Sequence, residues 1–381
     1  MGEEMNDRIR DFLRSRRDEG PILVVDKSIV RENYLAFAKS LPDTRVFYAV
    51  KANPDSVILE MLTQLGSCFD CASIGEIDMV LAAGATADRI SYGNTIKKER
   101  DIAKAFEKGI RLFAVDCEVE VEKIARAAPG SKVFCRILCD GKDAEWPLSR
   151  KFGCEVEIAP RVLEHAHRLG LKAYGVSFHV GSQQRNTEMW DGALASSAWI
   201  FREMAERGIN LSMVNLGGGF ATKYLKEIPA VESYSSAIFR ALRKHFGNNI
   251  PETIIEPGRG MVGNAGIIEA EVVLISKKSD KQDDPRWVYL DIGKFHGLAE
   301  TMDEAIRYPI RTRHDHAEKV PCVLAGPTCD SVDVMYEKEP YMLPFSLEIG
   351  DKVLIEGTGA YTTTYSSRDF NGMPGLRQIV I

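Results

Sequence analysis

The sequence predicts an α/β protein, a (β/α)8 TIM barrel joined to a second β-rich domain of barrel or sandwich type. Two observations carry that prediction. From about residue 45 a short apolar run, a turn and an amphipathic stretch recur eight times, and after Ala265 this rhythm gives way to longer alternating runs without regular helices. Size agrees: 381 residues with 45% apolar and 27% charged side chains can build more than one core, and the composition is not that of a disordered or coiled-coil chain. The expected barrel covers residues 27–264, and residues 1–26 with 265–381 form the β-domain.

Taken in order, PILVVD reads as a strand and precedes a helix over about residues 28 to 40, so it is expected to join the second domain. The barrel runs are RVFYAV, CFDCA, RISYG, RLFAV, KVFCRIL, YGVSFHV, MVNLGG and TIIEPG. Between the first two, Val57, Ile58, Met61, Leu62 and Leu65 follow Pro54 at helical spacing, and Ser73 with Glu76 makes a capping box ahead of Val80 and Leu81. Beyond the barrel the strand candidates are GIIEAEVVLISKK, RWVYLDI, PCVLAG, DKVLIEG and LRQIVI. Residues 278–285 and 311–319 read as surface loops, so His314, Asp315 and His316 read as solvated rather than as metal ligands.

Forty-nine basic against 55 acidic side chains give a net charge of -6 without a basic block, which argues against nucleic acid as a partner. No apolar run approaches the ~18 residues of a membrane span, and acids among the first arginines argue against a secretory or transit peptide. Asn6 stands where myristoylation needs Ser or Thr. The expectation is a cytoplasmic enzyme. Eight cysteines are too few for a disulfide scaffold, and Cys68, Cys117, Cys135 and Cys154 read as buried thiols. Cys68 and Cys71 form a C-x-x-C without the second pair a zinc finger needs. Cys329, in the turn AGPTCDSVD, is expected to face a cleft.

In a barrel the chemistry belongs at the strand C-termini. The first strand ends at Lys51, which either snorkels to solvent or forms an imine with an aldehyde. The sixth ends in SFHVGSQ, with His179 and Ser182, and the seventh in the glycines 217–219, whose amides can approach an anion closely. The eighth supplies EPGRG, with Glu256, Gly258 and Arg259. A lysine, a phosphate cradle, a flat imidazole and a carboxylate suit pyridoxal phosphate, whose ring nitrogen must stay protonated to act as an electron sink.

The motifs YAVKANP, FDCAS, SYGNTIK, PLSRKFG, SFHVGSQ, GGGF, EPGR, GPTCDS, GAYTT and FNG occur in that order. On them the chain resembles the barrel-type, alanine-racemase-like pyridoxal phosphate decarboxylases of basic amino acids, bacterial ornithine decarboxylases above all, over nearly its whole length after residue 20. The resemblance implies that Lys51 carries the cofactor, His179 stacks on its ring and Glu256 pairs with the ring nitrogen. It implies that Ser182, Gly219, Gly258, Arg259 and Tyr361 hold the phosphate, and that Asp70, Glu76 and Arg136 line the inner site. Cys329 and Asp330 would reach the neighbouring subunit's site in an obligate homodimer, with Cys329 returning a proton to the α-carbon. Asp330, Asp303 (twelve residues after Asp291) and Phe370 would meet the substrate, the acids taking its distal ammonium. The implied reaction is L-ornithine to putrescine and carbon dioxide, with L-lysine to cadaverine physically close because one methylene discriminates by only ~1 to 3 kcal/mol. Two local departures are His296, where a small residue is usual, and Gly260, where Ser is common.

The rivals are a lysine-preferring or other decarboxylase of the family, a racemase, a catalytically inactive regulatory homologue, and a cofactor-free aldolase, which would have no use for Glu256. An arginine decarboxylase of this fold is expected to be much longer, and an inactive homologue to have lost cofactor-binding residues.

Overall fold

The computed structural model describes residues 2–139, 143–146, 150–281 and 284–381; Pro147, Leu148 and Ser149 of the PLSRKFG motif and residues 282 and 283 of the 278–285 loop lie outside them. The chain forms two compact units, one of residues 31–221 with 228–261, the other of the stretch up to Val30 with residues 222–227 and 262–381.

The first unit is a closed barrel of eight strands. They are Thr44–Ala49, Cys68–Cys71, Ile90–Tyr92, Leu112–Val115, Lys132–Arg136, Lys172–Ser177, Met213–Asn215 and Glu252–Ile255, one from each expected run. Every neighbouring pair is parallel, and Thr253 opposite Thr44 closes the ring. Phe47, Cys68, Ala114, Phe134, Tyr174, Met213 and Ile254, from seven of the strands, form one buried cluster. Side chains alternate along a strand, so this cluster fixes which positions face inward.

The helix Ser56–Gln64 starts where Asp55 accepts from the Val57 amide at 2.9 Å. Its buried face is Ile58, Leu59 and Leu62, whereas Val57, expected on that face, is 39% exposed. Ser73 Oγ accepts from the Glu76 amide at 3.2 Å and caps Ile74–Ala82 as predicted. The Glu76 carboxylate reaches one residue past the cap and accepts from the Ala72 amide at 2.6 Å. A two-stranded antiparallel pair, Ala144–Trp146 with Ser182–Gln184, was not legible in the sequence.

Lys97 of the SYGNTIK motif is a structural residue. Its ammonium is buried, 2.9 Å from Glu120 Oε1, and donates to the carbonyls of Asn94 at 2.6 Å and Ala114 at 2.7 Å. Burial lowers its pKa to about 8, against the pull of Glu120. Lys123 Nζ takes the other Glu120 oxygen at 2.5 Å, so the loop after the third strand is tied both to the fourth strand and to the helix Glu118–Ala127. Deleting one partner of such a buried pair costs about 3 to 5 kcal/mol, because the other charge is left without compensation.

The second unit is a nine-stranded sheet built on the long strand Gly266–Ser276, which pairs with Lys352–Glu356, Arg286–Leu290 and Ile22–Val25. A register shift between Val272 and Leu274 marks where it passes to Arg286–Leu290. Ile22–Val25 joins this sheet as expected and also pairs in parallel with Arg377–Val380. Three short strands, Ile310–Thr312, Val334–Met335 and Tyr341–Pro344, escaped the sequence reading. The first takes residues 311 and 312 from the loop expected at 311–319, and Lys319 opens the next strand, while 313–318 between them is loop as expected. His314 is not free in solvent there: its Nε2 lies 3.1 Å from Asp351 Oδ2, a carboxylate that Arg313 also meets. An N-terminal helix, Gly2–Ser15, buries Ile9 and Leu13 against Ile22, Val24 and Ile267.

Candidate active site

Two residues beyond the barrel's interior cluster, the alternation brings the next side chains inward at the strand C-termini. Cys68, Phe134, Met213 and Ile254 are followed in this way by Asp70, Arg136, Asn215 and Glu256. Lys51 lies in the single 3-10 turn Val50–Ala52 that ends the first strand, half exposed, with Nζ 3.4 Å from Asp70 Oδ2. Asp70 is 4% exposed and also accepts from Ser91 Oγ at 3.3 Å. Gly93 leaves room for this carboxylate: a Cβ there would lie 1.7 Å from Asp70 Oδ1 and would displace it. The FDCAS and SYGN motifs are thus two halves of one packing arrangement.

Asn215 Nδ2 donates to Glu256 Oε1 at 2.5 Å, and Asn215 Oδ1 accepts from the Gly217 amide at 3.0 Å. Asn215 was missed in the sequence, although its place two residues before the glycine triplet is the signal that could have found it. Burial raises the Glu256 pKa to about 7, helped by the Asp70 charge and opposed by Lys51, the Asn215 hydrogen bond and Arg136. His179 is held neutral, its pKa lowered to about 3 by burial and then by the Arg136 and Lys51 charges. Lys51, Asp70, Arg136, His179 and Glu256 therefore form one electrostatic group.

The glycines 217–219 close that group. Gly217 and Gly219 have φ of 68° and 99°, and Cβ atoms on the three residues would lie 2.0 Å from the Phe178 carbonyl, 2.6 Å from that of Glu256 and 2.5 Å from that of Gly181. Ser182 opens the short strand after His179, Gly258 precedes the helix Arg259–Val262, and Arg259 is 5% exposed. Glu76 is half-buried, its pKa raised mainly by burial. A Cβ at Gly260 would lie 3.0 Å from Phe220 Cβ, so the Ser usual there would need Phe220 to shift by a few tenths of an ångström.

The remaining predicted residues belong to the β-unit. Cys329 is exposed, and its amide donates to Asn371 Oδ1 at 2.8 Å, joining the CDS turn to the FNG motif. Asp333, 2% exposed, organises that turn by accepting from the Lys294 amide at 2.8 Å and from Thr328 Oγ1 at 2.7 Å. Neither Asn371 nor Asp333 stood out in the sequence. Asp330 accepts from the Val332 amide at 2.9 Å, and Phe370 packs 5.4 Å from Phe295, ring to ring. Tyr361 has a left-handed φ of 54° and lies 5.9 Å from the Tyr365 ring. Asp303 is 86% exposed with Lys338 Nζ 3.6 Å away. His296 is buried, and neither ring nitrogen has a hydrogen-bond partner among the described residues. Cys117, expected to be buried, is exposed where it precedes the helix Glu118–Ala127.

A lysine beside a buried acid, a glycine cradle that any Cβ would fill, a neutral imidazole and a carboxylate poised near neutrality fit a planar, phosphorylated aldehyde with a basic ring nitrogen. That is the class defined by the barrel and its rim. The chain belongs to the pyridoxal-dependent decarboxylases, whose pyridoxal binding domain model matches residues 27–263. Its cofactor is pyridoxal 5'-phosphate and it is a carboxy-lyase.

The lysine/ornithine decarboxylase of Selenomonas ruminantium is 35% identical over 94% of this chain and 88% of that protein. Antizyme inhibitor 2 of Xenopus laevis is 31% identical over 98% of this chain and 83% of its own length. The crystal structure of the Paramecium bursaria Chlorella virus arginine decarboxylase bound to agmatine superimposes with a TM-score of 0.89 at 28% identity, covering 99% of this chain and all of that one. An arginine decarboxylase of similar length therefore exists, and length does not exclude arginine as expected. Among the described residues no helix is long and apolar enough to cross a membrane.

Proposed function

We propose that the substrate is L-ornithine, converted to putrescine and carbon dioxide in polyamine synthesis, with L-lysine as a second substrate yielding cadaverine. The observation that carries the reading is the group at the barrel rim, Lys51 with Asp70 and Glu256 with Asn215, in a chain most of whose length matches a lysine/ornithine decarboxylase. Lys51 would hold the cofactor, Glu256 would keep a proton on its ring nitrogen, and the neutral His179 would lie flat against its face. Gly219, Gly258, Arg259, Ser182 and Tyr361 would hold its phosphate, while Asp70, Glu76 and Arg136 would set the charge around Lys51. When bound, the cofactor supplies a sink for the electron pair freed as the carboxylate leaves. Cys329 would return a proton to the α-carbon, and Asp330, Asp303 and Phe370 would meet the side chain, whose ammonium is costly to bury unpaired. The retained Lys51, Glu256, Arg259 and Cys329 favour an active enzyme over a regulatory homologue.

The test is kcat/KM for ornithine, lysine and arginine with added cofactor. Ornithine is expected to be best, with lysine about 10- to 100-fold behind, as one methylene permits, and arginine poorest. Arginine as the preferred substrate would overturn the assignment.

The β-domain, taken as residues 1–26 with 265–381, is proposed to build an obligate homodimer in which Cys329 and Asp330 serve the neighbouring subunit. Val332 and Phe370, close to Cys329 along the chain or through Asn371, are 59% and 38% exposed on the single chain, apolar surface that a second copy would cover. A cytoplasmic location is part of the proposal. Mixing Lys51→Ala chains with Cys329→Ala chains should restore part of the activity by forming one intact site per mixed dimer. No recovery, with subunit exchange verified, would contradict shared sites.

A further inference from the structure

The fifth barrel strand, Lys132–Arg136, turns Phe134 and Arg136 into the barrel and Cys135 to its outer side. The chain returns to this strand end after the PLSRKFG motif. Cys154 forms a parallel bridge with Ile137, its amide donating to the Arg136 carbonyl at 3.0 Å and its carbonyl accepting from the Leu138 amide at 2.8 Å. Bridged residues share a face, as do residues two apart on a strand, so Cys154, Ile137 and Cys135 point the same way. The two sulfurs are 3.6 Å apart, and the Cys154 sulfur also lies 3.6 Å from the Arg136 carbonyl. Nothing in the decarboxylation uses either thiol.

We propose that Cys135 and Cys154 form a reversible two-electron oxidation site for peroxides, and that joining them alters the barrel's hold on its cofactor through Arg136. Cys154 is the half-buried member and Cys135 the buried one, so oxidant reaches Cys154 first. The hydrogen bond between them lowers the Cys154 pKa and raises that of Cys135, which makes Cys154 the nucleophile. Its thiolate attacks a peroxide oxygen, the O–O bond breaks, and the sulfur becomes a sulfenic acid as hydroxide departs and is protonated. Cys135 then attacks that sulfur: the S–S bond forms, the S–O bond breaks, and water leaves with the Cys135 proton. Two thiols have lost two electrons, and hydrogen peroxide has become two waters.

Bonded sulfurs stand at about 2.05 Å, so closure from 3.6 Å draws the Cys154 backbone and the Arg136–Leu138 peptides it bonds to toward Cys135. Arg136 is one of the charges that set Glu256 and His179. Transient, redox-sensing bonds of this kind are the form disulfides take in reducing compartments.

The test treats the full-length holoenzyme with a small molar excess of hydrogen peroxide, maps disulfide-linked peptides, and titrates pyridoxal phosphate into the oxidised and reduced proteins. The expected result is a Cys135–Cys154 linkage that dithiothreitol removes, and a several-fold weaker cofactor affinity that recovers with it. Both changes should be absent in Cys154→Ser, and in Cys135→Ala should the first variant fold poorly. Recovery of both thiols in alkylatable form after Cys329 has been oxidised would overturn the site. A linkage that leaves cofactor affinity unchanged would overturn its coupling through Arg136. The linkage is read on peptides, so it stands or falls independently of the substrate assignment.

Discussion

Lys51→Ala is expected to leave a folded protein whose decarboxylation rate has fallen at least about a thousandfold, the scale on which losing an activated nucleophilic group acts. The side chain is half exposed outside the apolar core, so the change in stability should stay near the ~0.5 kcal/mol typical of surface sites, apart from one effect. Asp70, buried and 3.4 Å from the ammonium, loses its cation, and Glu256, already raised by the Asp70 charge, loses the charge that opposes the rise most strongly. The variant should therefore lose the cofactor's visible colour and bind pyridoxal phosphate weakly, which spectroscopy and dialysis measure directly. A colourless variant that still released carbon dioxide at the parent rate would remove Lys51 from the reaction.

Glu256→Gln keeps the shape and the hydrogen-bonding atoms near Asn215 but removes the charge. We expect kcat to fall by about 100- to 1000-fold, the usual cost of removing a preorganised charge that acts on the transition state, with KM changing far less. An unchanged kcat would show that the carboxylate does not govern the ring nitrogen. The same variant tests the electrostatics without cofactor. Because the folded-state pKa of Glu256 is raised, to about 7, its contribution to stability is present below the ordinary value of 4.5 and is lost as pH rises through about 7. The cofactor-free parent should thus lose stability relative to Glu256→Gln across that window, by at most ~1.4 kcal/mol per pH step of one. His179 acts in the opposite sense. Its folded-state pKa is lowered to about 3, so its contribution is present above the ordinary 6.5 and is lost as pH falls toward 3. Parent and variant stabilities that run parallel from pH 4.5 to about 7 would contradict a buried carboxyl at Glu256.

The barrel was legible because each strand is a compact apolar run and each is followed by a helix, and the motifs at strand ends could be read off in order. Asn215 was marked in the sequence only by its place before the glycine triplet and Asn371 only by its motif; the partner of each, Glu256 across a barrel pair and Cys329 across a 42-residue separation, is brought near by the fold alone. Ile310–Thr312 and Val334–Met335 are too short to show alternation; the first pairs with Lys352–Glu356, remote in sequence, and the second folds back on the nearby Lys319–Ala325. The N-terminal helix was overlooked for a different reason. Its charged surface dominated the composition of the first twenty residues, while Ile9, Phe12 and Leu13, at helical spacing, carry the apolar face that packs on the sheet. Glu76 shows how a correct local rule can still miss the partner: Ser73 caps the helix as the box requires, but the Glu76 carboxylate takes the amide of Ala72.

The most direct measurement is borohydride reduction of the purified protein with excess pyridoxal phosphate, followed by peptide mapping. One reduced adduct is expected, on Lys51, formed in proportion to the activity that reduction destroys. An adduct confined to any other lysine, or none on an enzyme that still decarboxylates, would contradict it.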